Sequence, residues 1–208
     1  EGEVMINLNG YTWDLNDGDI RVRSTLSIYD TSADQTGKIC SDRRVIYLDN
    51  PNGASLFNLY SGTLESRGAT NWTLDASWGS ANLYGGTIKG NGAGVMYYLS
   101  LPNVIKVIGT EINSGAGQPQ CRGVLVSEAS AAAIVDVSEY EGDSLNVRID
   151  VINTPGKMTI IRGIQDAQAA NRYTIEVVCN SDADMFLEKE EYDPTTGEKY
   201  IHIAANQF

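Results

Sequence analysis

Apolar and other residues alternate in short runs along the first half of the chain, as in Leu26-Ser27-Ile28 and Ile105-Lys106-Val107. A period of two places one set of side chains on one face of a β-strand. The runs themselves recur. The segments SLFNLYSGTLESRG (55–68), SANLYGGTIKGNG (80–92) and NVIKVIGTEINSGAG (103–117) align on a Gly-Thr step at Gly62, Gly86 and Gly109. GKICSD adds a weaker copy at Gly37, giving spacings of 25, 24 and 23 residues. Leu59, Leu83 and Val107 fall 24 apart, as do Phe57, Ala81 and Ile105, and Leu26 and Ile28 hold these places in the first copy.

A second strand-like run precedes each of these: VIYLD (45–49), NWTLD (71–75), VMYYL (95–99) and GVLVS (123–127). Gly, Asn, Asp and Ser fill the joints, where positive φ and side-chain-to-backbone hydrogen bonds favour turns. Helical turns are confined to 166–173 and 182–193. A unit of 23–25 residues holding two or three short strands is one coil of a solenoid. Equivalent strands of successive coils then pair in parallel about 4.8 Å apart, and each coil buries its apolar face only against its neighbours. The prediction is an all-β fold: a parallel β-helix over 1–172, closed by a C-terminal β-hairpin-like cap over 173–208. In that cap YTIEVV (173–178) and KYIHIA (199–204) flank the turn DPTTG (193–197). A β-sandwich would also show short strands but has no reason to repeat a Gly-Thr step at nearly constant spacing.

Several strings match a known pattern: Leu8, Asn9, Gly10 and Thr12; Thr25, Leu26, Ile28 and Asp30; Gly37 and Ile39; Gly85, Gly86, Thr87 and Ile88. With these the chain resembles the right-handed, pectate-lyase-like parallel β-helix of large secreted bacterial surface proteins. The resemblance covers about residues 3 to 117, and 132–151 looks like the less regular segment that often follows such coils. It implies a fold and an extracellular or cell-surface setting, and carries no catalytic motif.

Charge narrows the partners. The chain has 208 residues and a formal net charge of −12, with Arg43-Arg44 as its only adjacent Arg/Lys pair. Phosphate binding needs clustered cations, so neither nucleic acid nor an anionic membrane surface is expected as a partner. No apolar run reaches the roughly 18 residues of a membrane helix. The chain opens at Glu1 without a signal segment and reads as an excerpt or processed product, with any export signal outside it. Cys40, Cys121 and Cys179 form no C-x-x-C pair and read as small buried apolar residues.

Three constellations could carry chemistry. Asp14, Asn16, Asp17 and Asp19 alternate oxygen ligands before and after a glycine, which suits weak surface Ca²⁺ binding, but the downstream bidentate Glu is missing and a polar turn at the start of the β-helix is the favoured reading. No other cofactor is implied. Carboxylates recur at Asp30, Asp49, Glu65, Asp75, Glu111 and Asp136; Asp49 and Asp75, 26 apart, could stack on adjacent coils beside Arg43 or Arg44, as a polysaccharide lyase or glycoside hydrolase would need. The sole histidine, His202, lies outside the repeat. Tyr60 and Tyr84 share one outward position, and Trp72 and Trp78 sit on the neighbouring strand or its turns; exposed aromatics suit sugar recognition, and an outward ring stack that stabilises parallel strands suits them too. The expected function is a non-catalytic extracellular adhesion or structural module that binds a glycan or another surface protein, or associates end to end with its own copies. The alternative is a polysaccharide-active enzyme.

Overall fold

Each of the first five coils makes the same circuit through three parallel sheets. The structure is a computed structural model and describes residues 2–68, 72–90, 95–98, 103–114, 124–127, 134–151, 155–179 and 185–205. The first coil is β1 (Glu3–Asn7), β2 (Thr12–Asp14) and β3 (Ile20–Val22); the second is β4 (Thr25–Tyr29), β5 (Lys38–Ser41) and β6 (Ile46–Asp49). The third is β7 (Ser55–Leu59), β8 (Thr63–Ser66) and the first half of β9 (Leu74–Leu83). The second half of β9, β10 (Thr87–Gly90) and β11 (Val95–Tyr98) form the fourth coil, and β12 (Val104–Val107), β13 (Glu111–Ser114) and β14 (Val124–Ser127) the fifth. β15 (Ile134–Asp136), β16 (Leu145–Val151), β17 (Gly156–Arg162) and β18 (Tyr173–Cys179) continue the first and third sheets only.

First strands of the coils stack as sheet A, second strands as sheet B, third strands as sheet C. Every pairing between successive coils is parallel. β9 runs through the corner without a break, so sheets A and C form one continuous 15-stranded sheet beside the 5-stranded sheet B. The corner works because residue 79 is glycine: a Cβ there would meet the Ser55 carbonyl oxygen at 2.5 Å.

The 24-residue period is the core. Ile28, Leu59, Leu83 and Val107 are register partners in sheet A, and all are fully buried. Leu26, Phe57, Ala81, Ile105, Val135 and Ile161 form the parallel column two residues away. Sheet B contributes Ile39, Leu64 and Ile88, and sheet C Ile46 and Leu74. Each of these side chains larger than alanine contributes about 1.5–3 kcal/mol by leaving water. On the first coil the columns run out: Val4 is 56% exposed and Trp13 46% exposed, although they pair with Leu26 and Ile39.

Three expectations are corrected. The Gly-Thr step does not continue to Gly109. Thr87 pairs with Glu111, so Thr110 occupies the place of Gly62 and Gly86, and Gly109 packs against the Tyr84 carbonyl oxygen and Gly85. Gly62 and Gly86 take positive φ (86° and 77°), whereas Gly109 does not, and Thr110 instead anchors its hydroxyl on the Gly85 carbonyl at 2.7 Å. The tail divides differently as well. Strand β18 stacks in parallel on β16, whereas the hairpin is β19 (Met185–Asp193) with β20 (Glu198–Ala205), and β20 closes antiparallel on β17. Residues 185–193 are therefore strand, not helix; a 3-10 turn does form at Ala169–Arg172.

Candidate functional site

Outward positions stack in columns just as inward ones do, so a column of side chains is the natural unit of any site on this scaffold. On sheet A, Tyr60, Tyr84 and Ile108 each donate their backbone N–H to the coil before. The Tyr60 and Tyr84 rings are parallel within 1° with centroids 4.7 Å apart, and the residues are 46% and 40% exposed. Rings this close and parallel lie face to face, and each spends one of its two apolar faces on the other. The next column carries Ser27, Asn58 and Asn82: Asn58 Nδ2 donates to Ser27 Oγ at 3.1 Å, Asn82 Nδ2 to Asn58 Oδ1 at 3.0 Å, and Ser27 Oγ donates to Glu3.

The entry-loop carboxylates point to cations already in the chain. Asp14 receives the Arg67 guanidinium on both oxygens and the Asn16 N–H at 2.8 Å. The Arg67 hydrogen bonds, then the Asn16 N–H, hold its carboxyl below the ordinary range. Asn16 itself turns the chain at φ 52°. Asp19 is bound by Arg44 at 2.8 Å and Arg21 at 3.2 Å; burial raises its carboxyl, and the two guanidiniums outweigh that and lower it. Asp17 is exposed on the turn between them. Among the described residues no group of three or more His, Cys, Asp or Glu side chains is placed to hold a metal ion.

The carboxylates between coils are similarly engaged. Glu65 takes Lys38 at 2.8 Å, Asp136 takes Arg162 at 2.9 Å, and Asp75 takes Arg44 at 2.9 Å and the Ser77 hydroxyl. Glu111 accepts from Asn113 Nδ2 at 2.7 Å. Asp30 is buried and accepts the N–H groups of Gly10, Ser32 and Gly37 at 2.9, 3.0 and 2.5 Å. Burial pushes its carboxyl up, but those N–H groups hold it below the ordinary value. Asp49 and Asp75 do not stack. Asp75 pairs with Tyr47 and Asp49 with Trp78, because β9 carries one extra residue between these positions. Such a bulge re-aims the residues beyond it. Tyr47 lies under Arg44, whose guanidinium carbon is 3.8 Å from the ring centroid.

That bulge creates the groove on the corner between sheets C and A. Asp49 and Trp78 are register partners, and Arg23 lies beside Asp49 on the coil before, with Nη2 3.1 Å from Oδ2. The second coil turns this corner through Asn50–Gly53, tied by Gly53 N–H to the Asn50 carbonyl at 2.8 Å and by Asn50 Nδ2 to the Arg23 carbonyl at 2.9 Å. The third coil has no turn there, since β9 passes straight through. The result is an open groove of about 600 Å³ lined by Arg23, Asp49, Asn50, Pro51 and Trp78. Of the four aromatics singled out in the sequence, Tyr60 and Tyr84 come together and Trp78 lines this groove, while Trp72 is half-buried before β9, apart from both. Arg23, Asn50 and Pro51 were not anticipated; the readable signal was the turn string Asp49-Asn50-Pro51-Asn52-Gly53.

A second hollow of about 320 Å³ lies where sheet B has ended, lined among others by Ser138, Tyr140, Arg172 and Tyr173. Burial pushes both tyrosine hydroxyls up. His202 sits in the hairpin, edge-on to Tyr200 and 3.8 Å from Glu191. Cys40 is buried with a free thiol that burial pushes up; Cys121 lies outside the described residues. No helix among the described residues is long and apolar enough to cross a membrane. No family model, curated protein or solved structure matches the chain.

Proposed function

We propose that the chain is a non-catalytic adhesion or structural module of an extracellular surface protein, built as the right-handed β-helix of secreted bacterial surface proteins that its coil motifs resemble. The engagement of the coil carboxylates carries this reading. Glycoside hydrolysis needs one carboxyl kept protonated as an acid and a second free to act as base or nucleophile. Here Asp49, Asp75, Asp136 and Glu65 are each matched to a cation on a neighbouring coil, the arrangement of a scaffold that staples its own layers. Asp49 and Asp75 are also out of register with each other. The face-to-face tyrosines and the Asn58–Asn82 amide pair serve the same stapling.

The test is turnover. Incubation with pectin, rhamnogalacturonan, alginate and mannan, with and without Ca²⁺, is expected to release neither reducing ends nor unsaturated products. Product release that disappears in Asp49→Asn or Asp75→Asn would establish the polysaccharide-active enzyme instead.

A further inference from the structure

We propose that the corner groove over Arg23, Asp49 and Trp78 binds a neutral pyranose unit of a glycan. Its floor is one outward column on three successive coils, spanning about 10 Å at the spacing of parallel strands, room for more than one ring of a sugar chain. Its wall is the Asn50–Pro51 turn. A pyranose presents apolar C–H faces and a rim of hydroxyls. Aromatic and pyrrolidine rings cover the faces, and a few placed polar groups read the rim. Trp78 and Pro51 supply the first, and Arg23 and Asp49 the second.

Both polar groups hold capacity in reserve. The contacts of Asp49 with Arg23 Nη2 and Nε (3.1 and 3.4 Å) and with Arg21 Nη1 (3.8 Å) all fall on Oδ2. Oδ1 accepts no hydrogen bond from the described residues, and Asp49 lines the groove. The Arg23 side chain is 74% exposed, with Nη1 uncommitted among the described residues. Asn50 is spent on holding the turn: its Oδ1 accepts the Asn52 N–H at 3.1 Å and its amide donates to the Arg23 carbonyl. Charge sets the ligand class. Arg23 and Asp49 cancel within the lining, and the chain as a whole carries −12, a field that repels polyanions. Neutral hexoses meet no such penalty. The tyrosine column offers less, because each ring spends one face on the other and no cavity forms around the pair among the described residues.

This inference goes beyond the surface-module reading, and the two fail separately. The chain has three tryptophans, so a ¹H–¹⁵N correlation spectrum carries three indole N–H signals, and Trp78→Phe assigns the one that matters. Titration with cellopentaose, mannopentaose and galactopentaose is expected to shift the Trp78 signal saturably with at least one of them, while Trp13 and Trp72 stay put. Arg23→Ala, at an exposed position and with folding checked by its unchanged dispersion of backbone N–H signals, is expected to weaken that binding by roughly tenfold. Failure of all three sugars to move the Trp78 signal, or binding unchanged in Arg23→Ala, would overturn the proposal. Products accumulating in the same samples would instead overturn the non-catalytic reading.

Discussion

Arg67 reaches across two coils and grips Asp14, 53 residues away, with Nη1 2.8 Å from Oδ2 and Nη2 2.9 Å from Oδ1. Its Nε meanwhile donates to Asp42 Oδ1 at 2.7 Å, so one guanidinium ties three successive coils. Bidentate pairing of this kind is the ion-pair geometry with most to contribute at a surface. Beneath it lies Cys40, with Sγ 3.7 Å from Nη1. Arg67→Ala is therefore expected to uncover this thiol. Labelling by iodoacetamide, mapped to the Cys40 peptide by mass spectrometry, should be slow in the intact chain and faster in the variant. Equal labelling would show that the ion-pair strap does not shield Cys40.

Asp30 should dominate acid sensitivity. Its folded-state carboxyl is held below the unfolded value of about 3.9 by three backbone N–H donors. A depressed carboxyl contributes stability that is complete above the unfolded pKa and is lost as pH falls through the folded one. Asp14, Asp19 and Asp136 shift in the same direction. Denaturant midpoints are expected to be flat from about pH 7 to 5 and to fall below about pH 4. Asp30→Ala leaves three N–H groups without their acceptor and should cost about 2–3 kcal/mol at neutral pH; the residual acid slope should be shallower. An unchanged slope would assign acid lability to the surface pairs.

The inner column and the glycine step should respond in different ways. Leu83→Ala, at a fully buried position between Leu59 and Val107, is expected to cost about 2–5 kcal/mol. Gly86→Ala adds little volume, yet residue 86 has φ 77° and a Cβ would meet the Gly62 carbonyl oxygen at 2.5 Å. Strain there should cost about 1–3 kcal/mol. Chemical denaturation measures both, and a neutral Gly86→Ala would show that the coil corner relaxes.

Removing the hairpin should change association. Ile201 and Ile203 of β20 are buried, and β20 covers the edge of β17, whose Met158, Ile160 and Ile161 are buried. Truncation after residue 184 would expose that edge and its apolar residues, and exposed β edges associate. Light scattering is expected to show larger species for the truncated chain than for the intact one. Equal masses would mean that the hairpin neither caps nor connects.

Calcium should matter little while the arginines are present. Arg67 and Arg44 hold oxygens of Asp14 and Asp19 that a bound Ca²⁺ would need. Millimolar Ca²⁺ or chelator is expected to leave the melting temperature unchanged; a rise with Ca²⁺ would revive the entry loop as a cation site.

The inner face of this protein was legible along the chain. Alternation identified strands, and the recurrence of Leu59, Leu83 and Val107 at 24 residues identified the column they form, because a solenoid core repeats whatever packs well and only like positions meet. What failed was register wherever the period was interrupted. Aligning Asp49 with Asp75 by strand ends missed the bulge that pairs Asp49 with Trp78, and aligning Gly109 with Gly86 missed that Thr110 takes that place. One inserted residue leaves the apolar pattern nearly unchanged but moves every outward neighbour. The ion pair that joins Asp14 to Arg67 and the column that sets Trp78 beside Arg23 and Asp49 bring together residues 26 to 55 apart. They depend on the length of each corner turn and on which coil lacks one, and no local preference encodes that. The repeating core therefore could be read from the sequence, and the outer surface, where a ligand would meet the chain, was decided only when the coils were stacked.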